Sequence, residues 1–137
     1  MNIGVYNLHE DKWEGRGIYI GRPSELGNPY LLYRDGDREV VVEKFKKYLW
    51  EIVQAGRQGK IAVTGITDAL TADAKLALRR GEVAHPSLRS AVWQNLLSLL
   101  RRAQAGERLN LLCYCKPEAC HGDIIKSCLE WMDKEQV

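Results

Sequence analysis

The sequence predicts one compact α/β domain, a small sheet flanked by helices, and three observations carry that prediction. Short β-prone runs at 3–8, 17–20 and 109–115 alternate with longer stretches whose apolar residues recur at helical spacing. The 137 residues are enough for one domain with a sizeable core. No internal repeat, low-complexity segment or linker divides the chain. We therefore expect a single domain over 1–137, in a Rossmann-like three-layer arrangement.

Taken in order, the first two strands are separated by a polar turn region at 10–15. The ten residues from Gly21 to Tyr30 hold two glycines, two prolines, Ser24 and Asn28, a composition for an ordered loop. Asp37 is placed to cap a helix in which Val41, Val42, Phe45, Tyr48, Leu49, Ile52 and Val53 share a face. A short strand at 60–65 is one reading of the next segment. A helix capped by Thr71 and closed by Gly81 follows. After His85-Pro86, Ser87 is placed to cap a long helix with Leu88, Val92, Leu96, Leu99, Leu100 and Ala103 on one side, and Gly106 fits its stop. The last helix, over 124–132, buries Ile124, Ile125, Cys128, Leu129 and Met132.

Hydrophobic residues make up 45% and charged residues 28%, the balance of an ordinary soluble domain. A net charge of +2 gives bulk electrostatics little hold on nucleic acid, and the pairs Arg79-Arg80 and Arg101-Arg102 read as solvated helix faces. No apolar run reaches the roughly 20 residues a membrane helix needs. No basic stretch leads into a long apolar one, so a cytoplasmic protein with reduced thiols is expected.

The segment Cys113-Tyr114-Cys115-Lys116-Pro117-Glu118-Ala119-Cys120-His121-Gly122-Asp123 holds three of the four cysteines, at a strand end and a helix start. Cys113 and Cys115 share one strand face, with Tyr114 on the other. Cys113 suits a small buried hydrophobe, whereas Cys115 reaches the loop. Cys120 and His121 fall at the first helical turn, where the helix dipole favours a thiolate. Three uses compete. Cys120 can serve as nucleophile with His121 as base and Asp123 orienting it. Cys115, Cys120 and His121 can bind zinc, with Cys113 or Asp123 as fourth ligand, although adjacent Cys-His ligands strain a tetrahedron. The residues can also form a structural cluster, with Asp123 capping the helix. Cys128 belongs to the core.

In the first loop, Arg22 offers a planar fork of donors for phosphate or carboxylate, Ser24 a hydroxyl, Gly27 an open backbone and Asn28 an amide. A rigid turn accounts equally for the glycines and for Asn28 before proline. No GxGxxG or P-loop is present.

Ile20-Gly21-Arg22-Pro23-Ser24, then Gly27-Asn28-Pro29-Tyr30, then Cys113-Tyr114-Cys115-Lys116-Pro117 with Cys120-His121-Gly122-Asp123-Ile124, resemble the domain-of-unknown-function family number four-three-two-six. These are small phage and bacterial proteins with an "IGRP…GNPF"-like loop and a "CWCxPxxCHGD"-like end. Tyr30 and Tyr114 stand where that pattern has Phe and Trp, and positions 56–87 look like an insertion that adds a lid or an oligomer surface. The resemblance implies one site made of Arg22, Gly27, Asn28, Cys115, Cys120, His121 and Asp123. Its phage association implies a nucleotide, nucleoside or modified base as ligand.

The expected function is therefore binding, with chemical processing, of a small nucleotide-like ligand by a Cys/His-dependent hydrolase or transferase. The alternatives are a non-enzymatic phage protein that sequesters a nucleotide and a zinc-stabilised module for nucleic acid or protein.

Overall fold

The computed structural model describes residues 1–22, 24–62, 72–114, 118 and 120–136. In chain order these form β1 (Asn2–Asn7), β2 (Gly17–Tyr19), α1 (Arg38–Arg57), α2 (Ala72–Arg80), α3 (Pro86–Gln104), β3 (Arg108–Cys113) and α4 (His121–Lys134). β3 lies between β1 and β2 and pairs with both in parallel. Its apolar run fits the centre, because a central parallel strand is covered on both faces.

Register divides the side chains cleanly. Ile3 lies beside Leu109, and Val5, Leu111 and Ile18 are aligned, so these residues share the face that packs on helices. On the other face Tyr6, Leu112 and Tyr19 are aligned, as are Gly4, Asn110 and Gly17. There the buried Asn110 amide donates to the carbonyls of Glu14 and Arg16 at 2.7 and 3.0 Å. A buried amide without partners is costly, so Asn110 fixes the loop that leads from β1 into β2.

The helices supply most of the core. α1 starts where the Asp37 carboxylate accepts from Val40 N–H, and Val41, Phe45, Tyr48, Leu49, Ile52 and Val53 form its buried stripe. α3 and α4 pack on the sheet and on each other, α1 packs on both, and α2 packs on α3. Burying each large apolar side chain contributes roughly 1.5–3 kcal/mol. Gly122 sets how closely α4 approaches: a Cβ there would lie 2.8 Å from Ile20 Cδ1 and from Val5 Cγ1.

Several boundaries differ from the sequence expectation, among them the end of β3, which is Cys113 and not residue 115. His85, not Ser87, caps α3: its Nδ1 accepts from Ser87 N–H at 3.1 Å, and Pro86 takes the first helical position, where no N–H is needed. α4 begins at His121, not Ile124, because Cys120 provides the cap. Residues 60–62 form no strand; the rest of the proposed 60–65 strand and the Thr71 cap lie outside the described residues. Among the described residues, the four helices and the three-stranded parallel sheet make the expected α/β domain. Among the described residues no helix is long and apolar enough to cross a membrane.

Candidate functional site

Parallel order brings the ends of all three strands to one edge, where β2 runs into the 20–30 loop, β3 into Tyr114, and α4 begins. Ligands collect at this edge in open α/β sheets. The two motif segments meet there: His121 Nε2 lies 2.7 Å from the Ile20 carbonyl, 101 positions away in sequence. Between them opens a cleft of about 350 Å³ lined by Gly21, Arg22, Asn28, Tyr30, Arg38, Tyr114 and His121, with Tyr19 and aliphatic residues of the 31–42 stretch.

The loop is built so that Arg22 faces this cleft. Ser24 N–H donates to Gly21 O and Gly27 N–H to Ser24 O, both at 2.8 Å, which ties Gly21, Ser24 and Gly27 together. The Ser24 hydroxyl accepts from Leu26 N–H and does not line the cleft, so it serves the turn and not a ligand. Gly27 lies against Arg22: a Cβ would meet Arg22 N and Ser24 O at 2.9 Å and Arg22 Cγ at 2.7 Å. Asn28 lines the cleft, but its carbonyl accepts from Tyr30 N–H and its amide donates to Val41 O. Its main work is to shape the loop. Arg22 differs. Its Nη1 is buried with no hydrogen-bond partner among the described residues, an expensive state for a guanidinium.

At the start of α4 the reactive groups turn inward. Cys120 is 1% exposed, and its Sγ accepts from Gly122 N–H at 3.3 Å as the helix cap. The same Sγ lies 2.9 Å from that of buried Cys113 and 3.9 Å from His121 Nδ1. Cys120 does not line the cleft. His121 does, but its Nε2 faces a carbonyl, which requires the proton on that nitrogen and leaves only Nδ1, beside Cys120, as acceptor. Burial holds the imidazole below its usual pKa, outweighing the Ile20 carbonyl and the nearby Cys113 and Asp123, which act the other way. Phe45 packs edge-on to its ring at 5.2 Å. His121 thus ties loop, helix and core together. Asp123 is half-buried in the first turn of α4, where a carboxylate suits the positive helix end, and the cap itself belongs to Cys120. Cys115 lies outside the described residues. Among those described, no group of three His, Cys, Asp or Glu side chains is arranged to hold a metal ion.

Two features escaped the sequence reading. Arg38, at the first position of α1, lines the cleft beside the loop. A cation at a helix N-terminus opposes the dipole, and that conflict was the available signal. The second is aromatic. Tyr114 is 55% exposed, 5.1 Å from the His9 ring and 5.7 Å from Tyr19, and Tyr30 is a further aromatic of the lining. Tyr114 leaves a large aromatic face open to solvent at the cleft.

The chain belongs to the family described as Domain of unknown function (DUF4326), whose model matches residues 6–131. No curated protein and no solved structure matches it.

Proposed function

We propose that the cleft at the strand ends binds a small nucleotide- or nucleoside-like ligand, with Arg22 and Arg38 facing its anionic group and Tyr114, Tyr19 and Tyr30 facing its ring system. The observation that carries this reading is the Arg22 guanidinium: a tight loop holds it at the cleft with Nη1 buried and unpartnered among the described residues. Such a group gains most when an oxyanion supplies the missing hydrogen bonds. The exposed Tyr114 and the half-buried Tyr19 and Tyr30 beside it suit a planar heterocycle, since stacking asks only for a π-face.

Binding has more geometric support than turnover. A Cys120 nucleophile would have to leave a buried cap, and His121 has one nitrogen on a backbone carbonyl. The test is a thermal-shift panel of nucleoside monophosphates, diphosphates and the parent nucleosides, because a ligand of the folded state raises the melting temperature. We expect phosphorylated members to stabilise the protein more than their nucleosides, and Arg22→Met to reduce that difference. Equal shifts from both classes, or a difference undiminished in Arg22→Met, would overturn the assignment.

A further inference from the structure

A second cleft, of about 320 Å³, opens on the other side of Tyr30, between α1 and the start of α3. Lys44 and Lys47, one turn apart on α1, and Arg89 on α3 contribute three cations to its lining, against the single carboxylate of Glu51. None of the three forms an ion pair among the described residues. Like charges gathered at a concave surface repel one another and raise the local anion concentration.

The second observation is independent of charge. Tyr48, 4% exposed, belongs to the same lining, and its hydroxyl has no hydrogen-bond partner among the described residues. Burial, with Tyr30 close by, pushes its pKa up and outweighs the opposing effect of Arg89, so at neutral pH the phenol keeps its proton and is a donor. Phenylalanine would fill the same space without the penalty of an unpaired buried hydroxyl. A fold that keeps the hydroxyl in a lining shared with three cations has donors and positive charge in one cleft, and an oxyanion satisfies both.

We propose that this second cleft is a phosphate-binding site, distinct from the first, in which Arg89 supplies a planar donor fork, Lys44 and Lys47 supply charge, and Tyr48 donates its hydroxyl. The ligand class is a phosphate group, either inorganic phosphate or the phosphoryl end of a small metabolite. The site stands whether or not the first cleft takes a nucleotide. Tyr30 is common to both linings, so occupancy of one is expected to be felt in the other through the position of that ring.

The experiment is titration of the full chain with inorganic phosphate at constant ionic strength, followed by amide chemical shifts and melting temperature. Ionic strength must be held, because exposed lysines respond to any salt. Saturable shifts are expected at 44–52 and 83–89. Tyr48→Phe should weaken phosphate roughly tenfold, and Arg89→Gln by roughly 10- to 100-fold, in proportion to a neutral and a charged hydrogen bond lost. Without phosphate, Tyr48→Phe should melt no lower than the wild type, which separates lost binding from lost folding. A phosphomonoester that binds with the same variant sensitivity, and more tightly, would identify a metabolite as the ligand. Arg22→Met should leave this titration unchanged. No saturable binding, wild-type affinity in both Tyr48→Phe and Arg89→Gln, or loss in Arg22→Met alone would each overturn the proposal.

Discussion

The 20–30 loop and the first turn of α4 meet across one cleft, yet they use their polar groups in opposite ways. At α4 the cysteine thiol caps a helix, the imidazole bonds to a backbone carbonyl, and both are buried. In the loop, Ser24 and Asn28 are turned to shape the backbone, and Arg22 is presented with an unpartnered nitrogen. The residues with the most reactive chemistry are the brace, and the residue in the turn is the one left with unused donor capacity among the described residues. Residue type alone does not say where function lies; what each polar atom already holds does.

The two sides should therefore separate when mutated. His121→Ala has the largest expected effect on stability. It removes a ring packed on Phe45 and leaves the Ile20 carbonyl without its partner, for a loss of roughly 2–4 kcal/mol by chemical denaturation. Arg22→Met should leave stability unchanged or slightly raised, since it deletes a buried unpartnered nitrogen. If His121→Ala folds as stably as the wild type, the bracing role is wrong.

Gly27→Ala comes next and joins both effects. The new Cβ would meet the backbone of Arg22 and Ser24, so the loop must shift, at a cost of about 1–3 kcal/mol, and the guanidinium moves with it. Reduced stability together with reduced ligand affinity is expected; intact affinity would show that Arg22 does not depend on this close approach.

The imidazole also predicts a pH dependence. Burial lowers the folded pKa of His121 below its ordinary 6.5, so the unfolded chain takes up the proton first as pH falls. Its stabilising contribution is present above about 6.5 and is lost as pH falls from there through the folded pKa. A series of melts between pH 7.5 and pH 5 checks this, and His121→Gln should flatten that part of the profile. A wild-type profile already flat there would contradict a neutral buried imidazole.

Much of this organisation was legible in the sequence. Stripes at helical spacing located α1, α3 and α4, since burial along one face leaves a periodic record, and the run at 109–112 marked a buried strand. The meeting of Arg22 with His121 was legible because both follow or precede strand ends of one parallel edge. What was not legible was how each side chain is engaged. A Cys-His pair at a helix start reads alike as dyad or as cap and brace, and only the 2.7 Å bond to Ile20 separates them. Arg38 and Tyr114 come from elements whose proximity depends on long-range packing.

The smallest effect concerns the thiols. Cys120 and Cys128 are both buried, and burial alone pushes Cys128 up to about 12. Both should resist alkylation in the folded protein, with rates that follow transient opening. Cys120 should react first, because it sits at a helix end beside the cleft and not on an interior stripe. Labelling of Cys120 at the rate of an exposed thiol would restore it as a surface nucleophile.

On the proposed function, Arg22 and not the cysteine-histidine turn makes the contact that selects the ligand. Calorimetric titration of the best nucleotide from the thermal-shift panel into Arg22→Met and into Cys120→Ser tests it most directly, with both variants first shown to be folded. We predict a loss of roughly 10- to 100-fold in affinity for Arg22→Met, from the charged hydrogen bonds removed, and near-wild-type affinity for Cys120→Ser. Unchanged affinity in Arg22→Met with binding abolished in Cys120→Ser would contradict the account.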